Sequence, residues 1–366
     1  MTAVGSPDAP GDELPAGDET SDGPVDLETT SWLRTILVMV GSLVVMLAVA
    51  TFSLSRGEPN ASLAEVWQSV WGTEPTPGVF IEVLVRELRY PRVIIAIMAG
   101  LSLGMSGVTL QDSLRNPLAD PYLLGIAQGA GFVVAVASIY PELSPGVPVT
   151  ILCLIGGALS GGLVLALSKQ ARNPVRVVLS GAMISLLLGT MSTVVVLLAP
   201  TNRASGILGY FRFVIGSFAG VQWDSVGTVI WWFVPGVILV LGSARILNLL
   251  QLGDEAAAGL GINPGRARLW LMFVSLILVA PYVAVIGPIG FVALFAPHMS
   301  RSLLATNDAR RLLPVAGMIG ATLLIIADTA GRLAFFPIET PAGLFTWTIV
   351  GPIALVLVGR LGKRAT

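Results

Sequence analysis

The chain has 366 residues, 54% of them hydrophobic and 12% charged, with a formal net charge of −1 and a mean hydropathy of +0.82. Soluble domains carry about 25% charged residues, so this composition excludes an ordinary soluble fold, and no nucleic-acid partner is expected of it. The single cysteine, Cys153, excludes an intramolecular disulfide and reads as a small hydrophobe within an apolar run.

The near-zero charge hides an asymmetry. Residues 1–30 hold eight acids and no Lys or Arg, which leaves 14 acids against 21 bases in the rest. This segment is rich in Pro, Gly, Ser and Thr, so it is expected to be a disordered, solvated arm, and it lacks the basic start of a signal peptide. Residues 31–366 read as one membrane domain. Apolar runs predict ten spans, near 33–54, 92–111, 121–140, 148–168, 175–199, 225–246, 267–287, 288–304, 312–331 and 341–359. The expected fold class is therefore all-α and polytopic. Gly100, Gly104 and Gly107 recur along the second span, where small residues let helix backbones approach closely in lipid.

Between the first two spans, residues 62–71 have weak helical character, and Trp67 and Trp71 suit a lipid boundary. The second span is preceded by Arg89-Tyr90-Pro91-Arg92. It leaves through Arg115-Asn116-Pro117-Leu118-Ala119-Asp120-Pro121, a polar hinge punctuated by proline. Residues 201–224, with Tyr210, Phe211 and Trp223, suggest a short interfacial helix. Segment 247–268 is too polar to span, yet Asp254 to Leu260 predicts a short helix, with acids at its start and glycine at its end. With the N-terminus inside, the outer segments keep only Arg56, Arg86, Arg89, Arg92, Arg203, Arg212 and Arg332. The other 14 basic residues lie inside, a bias that predicts both termini on the cytoplasmic side. The 254–260 helix then lies in the cytoplasm, as a docking element or a plain connection. Asp328, near the end of the ninth span, is one of few carboxylates at membrane depth, and Arg332 one turn on is its natural partner.

Several of these stretches together resemble the permease subunit of the ATP-driven importers of ferric siderophores, haem and cobalamin. The resemblance rests on Arg89 to Arg92, on Ser106, Gly107 and Gln111, and on the hinge from Asn116 to Gly125. It extends through Leu252 to Gly261, Gly290 to Arg301, and Asp328 with Arg332. It covers about Arg34 to the C-terminus. Two departures are Ala293 where the family has glycine and a shortened Gly351-Pro352 turn. The resemblance implies two ATPase subunits docked on a coupling helix at about 253–261, through Gly253, Asp254, Glu255, Ala256, Gly259, Leu260 and Gly261. It also implies a second permease copy, identical or related, and a binding protein outside that docks on Arg89, Arg92 and Arg332. Asn116, Pro117 and Leu118 match hinge positions at a cytoplasmic constriction, whereas Pro174 and Val175 depart from the family at a neighbouring one. The chain itself is expected to bind no cofactor or metal, ATP and magnesium being used by the partner ATPases. The implied location is the cytoplasmic membrane, and the implied cargo a ferric siderophore, with haem or cobalamin as alternatives.

Two other readings have footholds. A secondary transporter would need more ionisable residues at mid-membrane depth than are visible. An intramembrane Ser-His protease could use Ser106 in Gly104-Met105-Ser106-Gly107 with His298, the single histidine, provided the two come within hydrogen-bond reach. The nearest phosphate-loop candidate, Gly362-Lys363, has Leu357 for its first glycine and Arg364 for the hydroxyl residue.

Overall fold

The computed structural model describes residues 27–57, 59–72, 80–122, 124–143, 148–167, 174–200 and 204–353. The acidic residues 1–26, the Gly362-Lys363 pair and the side chains of Pro174 and Val175 lie outside what is described. The described regular elements are helical. In order they are α1 (Leu27–Ser55), α2 (Leu63–Trp71), α3 (Phe80–Leu114), α4 (Ile126–Ile139), α5 (Val149–Leu167), α6 (Pro174–Leu197) and α7 (Ala204–Ile215). Then come α8 (Trp223–Gly242), α9 (Ala244–Gln251), α10 (Asp254–Gly259), α11 (Pro264–Ile286), α12 (Val292–Leu304), α13 (Ala309–Leu333) and α14 (Ala342–Ile353).

Within α1, α3, α6, α8, α11 and α13 lie the six described segments long and apolar enough to cross a bilayer. With the shorter α4, α5, α12 and α14 they fall, in order, on the ten predicted spans. The sequence reading started the second span after Pro91, but the helix runs through that proline from Phe80. Leu84–Arg89 is wound as a π-helix just ahead of it. Proline has no N–H and its ring crowds the carbonyl four residues back, and a widened turn accommodates both defects. Leu63–Trp71 is a helix, and within the 201–224 segment a helix covers Ala204–Ile215.

α3 is the central helix, and every residue from Ser102 to Leu114 is buried. A helix that is apolar all round belongs inside a bundle. It packs most extensively on α13, because both carry small residues at the crossing. A Cβ at Gly100 would fall on the backbone of Ala321 and Gly320, and one at Gly104 on the carbonyl of Ala316. At Gly162 the same atom would meet nothing among the described residues. We expect Gly104→Leu to part α3 from α13 and cost about 3 kcal/mol or more by overpacking. Gly162→Leu should leave the melting temperature of the detergent-purified protein unchanged, and equal melting of the two variants would contradict this packing.

α1, by contrast, is peripheral. Leu37, Val40, Val44 and Leu47 are more than half exposed, the exposure expected of a helix that faces lipid. Its first turns lie near α12 and α13, where Arg34 Nε donates to the Leu303 carbonyl (2.9 Å) and the Arg311 guanidinium sits 4.1 Å from the Trp32 ring centroid. Its last turn meets the far end of α13, at Arg332. These contacts define the two ends of the bundle.

Candidate functional site

The end that carries α10 is organised around one carboxylate. α3 finishes with Arg115 in the left-handed conformation (φ 47°), and the Asn116 N–H donates back to the Gln111 carbonyl (3.0 Å). Such a cap turns the chain sharply. It also directs the Arg115 side chain to Asp254, Nη2 to Oδ1 at 2.7 Å. Arg268, in the first turns of α11, reaches the same carboxylate with both terminal nitrogens, at 3.0 and 2.7 Å. Its Nε donates to the Ser113 carbonyl at 2.9 Å. Arg268 is only 1% exposed, so its charge depends on that carboxylate. A planar guanidinium facing a carboxylate through two parallel bonds is the strongest form of such a pair. Asp254 therefore ties α10 to the end of α3, to the hinge and to α11.

Arg268's donors hold the Asp254 carboxyl below its ordinary range, and Arg115 adds to the effect. A carboxylate with a depressed folded-state value contributes stability above its unfolded value, about 3.9, and loses it as pH falls through the folded value. The difference in melting temperature between wild type and Asp254→Asn should thus hold steady from about pH 7 to pH 5 and shrink only below about pH 4. A difference already vanishing near pH 6 would assign it to another group.

The helix these bonds hold presents a small, open face. Glu255, Ala256, Ala258 and Gly259 are exposed, Ala257 is buried, and Leu252 and Leu260 flank them at 64% and 59% exposure. A Cβ on Gly259 would touch nothing among the described residues, whereas Gly253 (φ 111°) and Gly261 (φ 85°) occupy backbone conformations that favour glycine. In the hinge, Asn116 Oδ1 accepts from the Leu118 N–H (2.9 Å), which fixes the turn and leaves Pro117 and Leu118 exposed.

A second cluster beside it was missed by the sequence reading. Arg301 of α12 donates to Asp112 Oδ1 (2.6 Å) and to Gln111 Oε1 (2.7 Å), and Gln251 donates to Asp112 Oδ2 (2.9 Å). Asn248 joins α9 to the start of α13 through Asp308 and the Ala309 N–H, both at 2.7 Å. Asp112 is one carboxylate at the end of an apolar run, and its partners lie about 140 and 190 residues away in sequence. Helical periodicity carries no trace of such a pairing.

At the opposite end Arg89, Arg92 and Arg332, expected as docking cations, all make contacts within the chain. Arg89 is 6% exposed and donates to the Leu54 and Pro59 carbonyls at 3.0 and 2.7 Å. Arg92 lies between Asp328 (2.8 Å) and Glu339 (2.9 Å). Arg332 pairs with Asp328 at 3.3 Å and donates to the carbonyl and hydroxyl of Ser53 at 3.0 and 2.7 Å. A charge count assigns a residue to one side of the membrane but says nothing of where its side chain points. Here carbonyls at the end of α1 and the Asp328 carboxylate draw all three inward. Ser106 is fully buried among the packing residues of α3, and no hydrogen bond joins it to His298.

A family model described as the FecCD transport family matches residues 43–360. The hemin transport system permease protein HmuU of Yersinia pestis is 35% identical over 331 residues, covering 88% of this chain and 96% of that protein. The Fe(3+)-citrate import system permease protein YfmE of Bacillus subtilis is 33% identical over 327 residues, covering 89% and 95%. A solved structure of a metal-chelate type ABC transporter in an inward-facing conformation superposes with a TM-score of 0.76. It shares 26% sequence identity and covers 88% of this chain and 99% of that one.

Proposed function

The chain belongs to the FecCD transport family, and from that premise we propose that it is the membrane-spanning permease subunit of an ATP-driven importer of an iron chelate. The observation that carries the reading is the Asp254 clamp. An exposed helix of small residues projects from one end of the bundle. A single carboxylate fastens it to the end of the central helix and to α11. A soluble ATPase pressing on α10 would move the Asn116–Leu118 hinge and α11 together, which is the mechanical requirement for opening and closing a path by nucleotide-driven motion. ATP and magnesium would be bound by two such partners.

The arginines support the orientation. Arg34, Arg115, Arg245, Arg266, Arg301, Arg310 and Arg311 gather at the α10 end, which the positive-inside rule places in the cytoplasm together with both termini. An extracytoplasmic binding protein would meet the opposite end. There Arg89, Arg92 and Arg332 act as positioning residues that shape the docking surface from beneath. Apolar side chains left exposed along α6, such as Leu179, Met183 and Leu186, suit lipid or a second permease copy.

The cargo we propose is a ferric siderophore. Haem is the second reading, favoured by the hemin permease among the relatives. The test is uptake of radiolabelled ferric siderophore, haem and cobalamin by cells lacking the chain. Loss of one, restored by the intact gene, identifies the cargo, and no loss of any overturns the reading. Gly259→Leu separates coupling from folding in the same assay. Open space around this residue predicts an unchanged melting temperature, whereas a branched side chain on the docking face should lower uptake about tenfold or more, the loss of about 1.4 kcal/mol of productive contact. Wild-type uptake by that variant would remove α10 from the coupling path.

A further inference from the structure

The short helix α2 does not share in the clamps described above, yet its geometry is specific. Ser62 and Glu65 form a reciprocal cap at its start, with Glu65 N–H to Ser62 Oγ at 3.2 Å and Ser62 N–H to the Glu65 carboxylate at 2.6 Å. This fixes the rotation of the helix. Val66 and Ser69 face the bundle, while Leu63, Trp67 and Trp71, spaced four residues apart, are 66%, 68% and 70% exposed. α2 follows directly on α1, where the Ala61 N–H donates to the Ser55 carbonyl at 2.9 Å. The apolar stripe of α2 thus continues the lipid-facing surface of α1 at the level where that helix ends, and Phe52, in the last turn of α1, is 49% exposed.

Between the two helices lies an open groove of about 590 Å³, lined among others by Phe52, Arg56, Asn60, Ser62 and Leu63. Its chemistry is divided. Arg56 is exposed, has no ion pair among the described residues, and rests its guanidinium 5.5 Å from the Phe52 ring centroid. Ser62 Oγ accepts from the helix, which leaves its O–H to donate, and Asn60 uses only its carbonyl oxygen, on the Gly57 N–H at 3.4 Å. Glu65, which caps α2, is engaged by the Ser62 N–H. Among the described residues the polar wall is therefore cationic and donor-rich, and it meets an apolar wall continuous with the exposed side of α1.

We propose that this groove is a phospholipid site. The phosphate diester sits against Arg56 with donors from Asn60 and Ser62, and the acyl chains run down the exposed face of α1 past Phe52 and Leu63. Tryptophans on an amphipathic helix at the end of a lipid-facing span belong at the headgroup level, and a guanidinium matches phosphate oxygens in a two-pronged geometry. A free phosphate ion would leave the stripe of Leu63, Trp67 and Trp71 without purpose.

The test is native mass spectrometry of the full-length protein released from phosphatidylglycerol nanodiscs, with wild type, Arg56→Gln, Asn60→Ala and the pair Trp67→Ser/Trp71→Ser. Wild type should retain one phosphatidylglycerol that Arg56→Gln holds about tenfold more weakly, the loss of one charge-assisted contact. Asn60→Ala and the tryptophan pair should lower retention too, while melting temperatures stay close to wild type. Equal retention by all four proteins overturns the proposal. So does stabilisation of wild type, but not of Arg56→Gln, by inorganic phosphate without a difference in retained lipid, which would assign the groove to a free anion. Intact lipid retention with lost affinity for the extracytoplasmic binding protein in the tryptophan variant would assign the stripe to protein docking and overturn it as well.

Discussion

Asp254→Ala should abolish ATP-driven uptake while also lowering stability, because it strands a buried cation. Arg268 is 1% exposed and would lose both of its bonds to the carboxylate while keeping the one to the Ser113 carbonyl. Breaking a fully buried ion pair by removing one member costs about 3–5 kcal/mol. Asp254 is itself 37% exposed, so solvent reaches part of this pair and the loss should be nearer about 2 kcal/mol. The functional loss should be larger than this figure implies. Without the carboxylate α10 no longer holds Arg115 at the end of α3, and motion imposed on α10 has no polar link to the hinge. The measurements are a melting curve in detergent and uptake of radiolabelled ferric siderophore in cells that carry the variant at wild-type membrane levels. Glu255→Gln, one residue on and exposed, serves as the stability control and should melt with wild type. Asp254→Ala transporting at the wild-type rate would break the link between clamp and coupling.

Asp254 also marks how much of this site could be read beforehand. The short helix was legible because acids at its start, glycine at its end and its polarity between two apolar runs are local properties. The hinge was legible for the same reason, since Asn116, Pro117 and the glycine at 125 shape the backbone near themselves. What joins them was not. Arg268 read only as one more positive charge at the start of a span, and its contacts with Ser113 and Asp254 depend on how α3, α10 and α11 are brought together. The same limit explains the arginines at the other end. Their side of the bundle followed from counting charges, but a long guanidinium at a helix end can turn to water or fold back on carbonyls, and nothing local decides between these. Pro91 misled in another way. Proline inside a helix usually marks its start or a break, and the π-wound turn that let α3 pass through it is a tertiary accommodation.

The largest expected loss of stability is at Asp328. This carboxylate is 2% exposed and lies between Arg92 and Arg332, themselves 11% and 8% exposed. Asp328→Leu would leave two guanidinium groups facing each other in a nearly dry site, with Glu339, half exposed, as the remaining acid. Removing the shared partner of two buried charges costs at least as much as breaking one pair, about 3–5 kcal/mol. The detergent-solubilised variant should accordingly melt far below wild type or fail to give a monodisperse peak. Rescue distinguishes electrostatics from packing. Replacing all three at once, Asp328→Leu with Arg92→Met and Arg332→Met, removes the stranded charges, and buried ion networks exchanged for apolar groups of similar volume are often neutral. Most of the lost melting temperature should return in the triple variant. Should the triple variant be no more stable than Asp328→Leu alone, the loss would belong to the shape of the aspartate site, and the ends of α1, α3 and α13 opposite α10 would be held by packing instead of by this carboxylate.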